Sequence, residues 1–156
     1  LGEHDPEAQF VTAMNIRAGE LGLSSLQFWN TTGLDLSPEQ PGAIGSARDV
    51  SFLLEYMLHH YPELLSATQA TEVRVYNASG AYHTVTNTNP VTTEIPHLIA
   101  SKTGFTDLAG GNLTIAFNAG FDRPIIVTVL GSSHQARFQD VLTLVNAVQA
   151  SLGQAR

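Results

Sequence analysis

The stretch IASKTGFTDLAGGNLTIAF, residues 99–117, decides how this sequence is read, and it contains Lys102, the only lysine in a chain of 156 residues. Residues 97–102 and 111–117 are apolar-rich runs of strand character. Ala109-Gly110-Gly111-Asn112 between them has the composition of a turn joining two strands, not of a phosphate loop opening a helix. A third strand-like run, residues 124–130, follows the turn sequence NAGFDR. Connections this short imply antiparallel pairing. Phe138, Val141, Leu142, Val145, Val148 and Leu152 then mark an amphipathic C-terminal helix whose apolar stripe must cover one face of that sheet.

The chemistry of Lys-Thr-Gly is legible on its own. An ammonium on Lys102 beside the Thr103 hydroxyl makes a cationic, hydrogen-bonding spot suited to a carboxylate. Gly104 has no Cβ to obstruct an extended peptide lying along the strand.

Upstream, Asp5-Pro6 is an N-cap followed by a first helical residue, and Phe10, Met14, Ala18 and Leu21 recur on one face of a helix over residues 6–21 that Gly22 ends. Residues 22–45 form a long irregular connection in which Phe28 and Trp29 are expected to be buried as anchors. Ser46, with Asp49 three residues on, opens a second helix carrying Val50, Leu53, Leu54, Met57 and Tyr61 and ending near Pro62. Arg48-Asp49 is read as a helix N-terminal turn. Residues 72–86 alternate around Asn77-Ala78-Ser79-Gly80, the signature of a hairpin. The whole is one α+β domain, 1–156, an antiparallel sheet covered by helices.

Composition excludes several classes. A net charge of −7 without a cluster of basic residues argues against nucleic acid as a partner. The absence of cysteine removes disulfides, thiolate metal sites and a thiol nucleophile. His4, His59, His60, His83, His97 and His134 lack ligand spacing and are read as surface or packing residues; no metal or other cofactor is implied. Asn30, Asn77 and Asn112 stand in glycosylation-like triplets to which no role is assigned. No apolar run approaches the ~20 residues that span a bilayer.

Taken in order, FVTAMNIRAGELGL, QFWNTTGLD, GSARDVSFLLEYML with YPELL, NTNP, KTGFTDLAGGNL and VTVLGSSHQARFQDV resemble the serine D-Ala-D-Ala carboxypeptidases, the low-molecular-weight penicillin-binding proteins. The resemblance covers nearly the whole chain. It implies the β-lactamase/penicillin-binding-protein fold, peptidoglycan D-Ala-D-Ala peptides as substrate, β-lactam antibiotics as ligands and an extracytoplasmic location, in the periplasm or at the cell surface. It makes Lys102, Thr103 and Gly104 the active-site strand, gives the Phe105 N–H to the oxyanion hole, and lets Thr106 bond the substrate. Arg137 then stands near the substrate carboxylate. Two further motifs of the family, Ser-x-x-Lys and Ser-x-Asn, have no match: the residue three before Lys102 is Ile99, and no serine is followed at the second position by Asn. The chain therefore resembles the C-terminal part of the catalytic domain, with the first helices and two of five strands missing. It is expected to be inactive alone unless a complementary N-terminal chain supplies the serine. The alternative is a non-catalytic module of the same fold that binds peptidoglycan peptide or a partner.

Overall fold

A computed structural model describes residues 5–154 of the chain; His4 and Arg156 lie outside the described residues. In chain order the elements are α1 (Pro6–Glu20), β1 (Gln27–Phe28), β2 (Ala43–Ile44), α2 (Ala47–His60), two 3-10 turns (Pro62–Leu64 and Ser66–Gln69), β3 (Glu72–Tyr76), β4 (Tyr82–Thr86), β5 (Leu98–Thr106), β6 (Gly110–Asn118), β7 (Pro124–Ser132) and α3 (Ala136–Gln154). The architecture is α+β. Strands β5, β6 and β7 make a three-stranded antiparallel sheet in that order, while β1–β2 and β3–β4 are separate antiparallel ribbons.

Side-chain alternation on β6 sets the layers. Leu113, Ile115 and Phe117 are fully buried on one face, where Phe138, Val141 and Val145 of α3 pack against them with Val91 and Ile95. On the other face Ala116 and Ala100 leave room for Leu54 of α2 and Leu65. Large residues meet α3 and small ones meet α2, so the sheet is the middle of three layers.

The three expected strands are all present, and each runs further than its apolar core. β5 continues from Lys102 to Thr106, which places Lys-Thr-Gly inside the strand and not at its end, because Gly110, Gly111 and Asn112 extend β6 opposite it. At the other end, His97 has φ of 52° and turns the chain, so the strand begins at Leu98. The hairpin at residues 72–86 forms as expected, with Asn77 Oδ1 accepting from the N–H groups of Ser79 and Ala81. The loop over residues 22–45 folds back on itself through the β1–β2 ribbon, and Asn30 fastens it by accepting from Gly33 N–H and donating to the Leu34 carbonyl.

The apolar face of α1 is only partly covered. Ala18 is buried, Met14 and Leu21 are half-buried, and Phe10 is 61% exposed. Among the described residues α1 packs mainly on β1, and Arg17 ties it to α2 by donating to the Tyr56 hydroxyl at 2.5 Å.

Asp49 does more than occupy a helix N-terminal turn. It is buried, and Oδ2 accepts from both the N–H (2.8 Å) and the hydroxyl (2.7 Å) of Ser25, pinning the long loop to the start of α2. Ser46 Oγ accepts from Asp49 N–H as the expected N-cap, but the Ser46 N–H is taken by Ser25 Oγ, so Ser25 replaces the carboxylate half of a capping box. The two bonds from Ser25 hold the Asp49 carboxyl below its ordinary value of 3.8. A depressed carboxyl stabilises the fold fully above the unfolded value, and that contribution is lost as pH falls through the lower folded value. Acid unfolding followed by circular dichroism is expected to show stability falling below about pH 4, with the gap between unsubstituted and Ser25→Ala protein wide near neutrality and narrower in acid.

Candidate active site

Five of the six predicted site residues are consecutive on β5, and β5 is the edge of its sheet. Two open grooves border them. One, of about 260 Å³, lies between β5 and the β3–β4 hairpin and is lined by Thr68, Val73, Val85, Thr88, Lys102 and Thr103. The other, of about 450 Å³ and mostly apolar, lies between the loop, α2 and the far end of the strand, where Leu26, Leu53, Gly104, Phe105, Thr106 and Asn112 are among its walls.

The outer flank of β5 is partly closed and partly free. Ser101 N–H donates to Thr68 Oγ1 at 3.1 Å and Ser101 Oγ donates to the Thr68 carbonyl at 2.9 Å, so Ser101 points its amide away from β6. Amide direction alternates along a strand, and the register with β6 is regular from Ala100 to Thr106. The N–H groups of Thr103 and Phe105 therefore point to the same outer flank, beyond the turn that occupies Ser101.

Lys102 is exposed on the face shared with Ala100 and Thr114, its amine donating to the Thr103 carbonyl. Among the described residues no carboxylate stands within ion-pair distance of that amine. Thr103 Oγ1 is 2.6 Å from Thr88 Oγ1, which gives the Thr103 hydroxyl a fixed partner from the segment before β5. Thr106 Oγ1 accepts from Ala109 N–H and closes the β5–β6 turn, leaving its own proton to donate. Asp35 Oδ2 accepts from Leu108 N–H, so the long loop is fastened to that same turn.

Arg137 lines neither groove. It is 5% exposed, its guanidinium lies between the rings of Phe138 (4.7 Å) and Phe105 (6.0 Å), and it donates to the Gly104 carbonyl at 2.7 Å. His134 packs edge-on against the Phe105 ring at 4.6 Å. Sequence reasoning did not single out Thr68, the closest signal being its place two residues after the Ser66 that opens a 3-10 turn; Thr88 lay inside the quoted NTNP.

The chain is similar to known proteins over most of its length. Residues 5–134 match the family model described as D-alanyl-D-alanine carboxypeptidase, peptidase S11. The chain belongs to this family. It is 29% identical over 140 residues to D-alanyl-D-alanine carboxypeptidase DacF of Bacillus subtilis, covering 90% of this chain and 35% of that protein. Among solved structures it is similar to penicillin-binding protein D2 of Listeria monocytogenes in its cefotaxime-bound form, with a TM-score of 0.74, 30% identity, and coverage of 88% of this chain and 55% of that one. It is also similar to a peptidoglycan synthesis regulatory factor, PBP3, of Streptococcus pneumoniae, with a TM-score of 0.76, 25% identity, and coverage of 92% and 48%. The chain thus spans about a third of the curated relative and about half of the solved ones. The expected penicillin-binding-protein fold is the observed one.

Two glycines separate what the fold needs from what the groove needs. A Cβ on Gly111 would stand 2.1 Å from the Ser133 carbonyl oxygen and 3.2 Å from Arg137 Cδ, whereas one on Gly104 would meet only Asn112 Cβ at 3.7 Å, an ordinary contact. Gly111→Ala is expected to destabilise by about 1–3 kcal/mol in urea unfolding, through forced backbone movement. Gly104→Ala is expected to stay within about 0.5 kcal/mol; a larger loss shows that this chain itself fills the space beside residue 104.

Proposed function

We propose that this chain, residues 1–156 as a single unit, is the C-terminal part of the catalytic domain of a serine D-Ala-D-Ala carboxypeptidase that trims peptidoglycan stem peptides outside the cytoplasm. The observation that carries the reading is an exposed lysine ammonium on a sheet edge, with no carboxylate paired to it among the described residues and the outward N–H groups of Thr103 and Phe105 running beside it.

Each residue has a task. Lys102 and the Thr103 hydroxyl hold the free carboxylate of the substrate's terminal D-alanine. The peptide lies antiparallel along the outer flank of β5, and the absence of a side chain at Gly104 lets it approach. A serine attacks the carbonyl carbon of the penultimate D-alanine, and the electron pair moves onto the carbonyl oxygen, where Phe105 N–H stabilises it. Collapse of that intermediate breaks the amide bond; the departing nitrogen takes a proton and D-alanine leaves. Water then attacks the acyl-enzyme ester and regenerates the serine. A β-lactam, carrying a carboxylate beside a strained amide, follows the first half of the route. The lysine beside the attacking serine and the Ser-x-Asn that accompany Lys-Thr-Gly in such sites have no counterpart in this chain, so a complementary segment of the gene product, or a second chain, supplies them. Alone, the chain is inactive. The open apolar groove and the exposed Phe10, Leu34, Ile44 and Phe52 give such a segment a surface to cover.

A fluorescent penicillin is expected to label the full gene product covalently, and to leave the isolated 156-residue chain unlabelled. Lys102→Ala in the full product is expected to slow labelling about ten- to hundredfold, the value of a hydrogen bond to a charged group. Labelling of the isolated chain contradicts the missing-nucleophile account, and indifference to Lys102→Ala contradicts the carboxylate dock.

A further inference from the structure

Arg137 occupies a position that packing alone does not favour. It stands in the first turn of α3, where the helix dipole repels a cation. It is 95% buried, and among the described residues no carboxylate pairs with it; the nearest acid along the helix, Asp140, accepts from Ser132 Oγ at 2.6 Å. Its Nε is buried without a hydrogen-bond partner. A buried, unpaired cation costs several kcal/mol unless something offsets it. What faces it is the carbonyl oxygen of Gly104 at 2.7 Å and the faces of two phenyl rings. Gly111 permits this approach, since its missing Cβ leaves room for the Arg137 stem.

The Gly104 carbonyl and the Phe105 N–H are the two ends of one conjugated amide. They point to opposite sides of β5: the N–H to the outer flank, the oxygen inward to Arg137. A cation donating to the oxygen draws density along the amide and makes the N–H a stronger donor. The bond also fixes the plane of that peptide.

We infer that Arg137 is a positioning residue which, from behind the strand, orients and polarises the Gly104–Phe105 peptide so that the Phe105 N–H is a strengthened oxyanion donor. This rests on the carboxypeptidase reading, and it replaces a direct grip of Arg137 on the substrate carboxylate with an action through the backbone. The expected signature is in the rate of acylation and not in affinity before acylation, because the oxyanion forms only as the serine attacks.

Two measurements on the full gene product test it. Labelling with carbonyl-13C glycine and 15N phenylalanine selects Gly–Phe peptides, of which this sequence has two, Gly104–Phe105 and Gly120–Phe121. The second, whose Phe121 is fully exposed, is the internal control, and Phe121→Leu assigns it. Arg137→Gln is expected to move the Phe105 amide nitrogen upfield and leave Phe121 unmoved, with Arg137→Lys, which keeps a cationic donor, restoring most of the shift. In cefotaxime acylation kinetics Arg137→Gln is expected to lower the acylation rate constant about tenfold, with noncovalent affinity unchanged and lysine again restoring part of the loss. An unmoved Phe105 resonance in folded Arg137→Gln overturns the proposal, as does a loss confined to noncovalent affinity, which is the mark of a direct carboxylate contact. If Arg137→Gln does not fold, Arg137→Lys is read alone: the small displacement of the Phe105 resonance that lysine leaves uncorrected is expected with a small fall in the acylation rate constant, and a fall in rate with an unmoved resonance overturns the proposal. Failure of cefotaxime to acylate the unsubstituted product sinks the carboxypeptidase reading, and the resonance alone then supports or overturns the polarisation.

Discussion

The regular antiparallel register of β5 on β6 is the constraint on which the rest depends. Between Ala100 and Thr106 no bulge interrupts it, so side chains alternate strictly and amides alternate with them. That alternation turns Ala100 toward α2, exposes Lys102, brings Gly104 opposite Asn112, and aims the amides of residues 101, 103 and 105 outward. A one-residue slip would invert all of these together. The register itself is held by burial: Leu113, Ile115 and Phe117 can face α3 in only one phase.

What surrounds the strand follows from residue size. Alanines at positions 100 and 116 let α2 settle close to one face, and the hydroxyls of Ser51, Thr114 and Thr128 link helix and sheet there in a chain of 2.7 Å contacts. Large side chains on the opposite face keep α3 at a distance that its Phe138 and valines fill. At the end of the sheet the glycine pair bends this rule. Gly110 has φ of +65°, and a Cβ there would stand 2.7 Å from the Ser132 carbonyl oxygen, so the turn into α3 passes directly over the start of β6. That passage brings Arg137 within reach of β5.

Sequence legibility divides along the same lines. Alternation and helical spacing are local, and they showed every major strand and helix and the hairpin at residues 72–86, but not that Lys102 and Thr103 line one groove while Gly104 lines the other. Strand ends were not legible, because whether β5 stops at Lys102 or runs on to Thr106 is decided by Gly110–Asn112 across the ladder. The loop over residues 22–45 could be recognised as long, but not that Ser25, rather than Asp49, would cap the Ser46 amide, since that bond joins residues 21 apart. Periodicity showed which side of α1 is apolar without showing what covers it, and Phe10 on that side is exposed. The surroundings of Arg137 were not legible: its burial depends on Gly111, Phe105 and Phe138, which no spacing rule connects.

The chain belongs to the D-alanyl-D-alanine carboxypeptidase family and spans about half of the solved relatives, so β5 is only one wall of the reaction centre proposed for it. The most direct measurement is a crystal structure of the full gene product acylated by cefotaxime. The ligand carboxylate is expected to be hydrogen-bonded to the Lys102 amine and the Thr103 hydroxyl, with the acyl oxygen on the outer flank of β5 at the Phe105 N–H. An acyl-enzyme whose carboxylate lies away from Lys102, or whose acyl oxygen is held by groups outside β5, contradicts it.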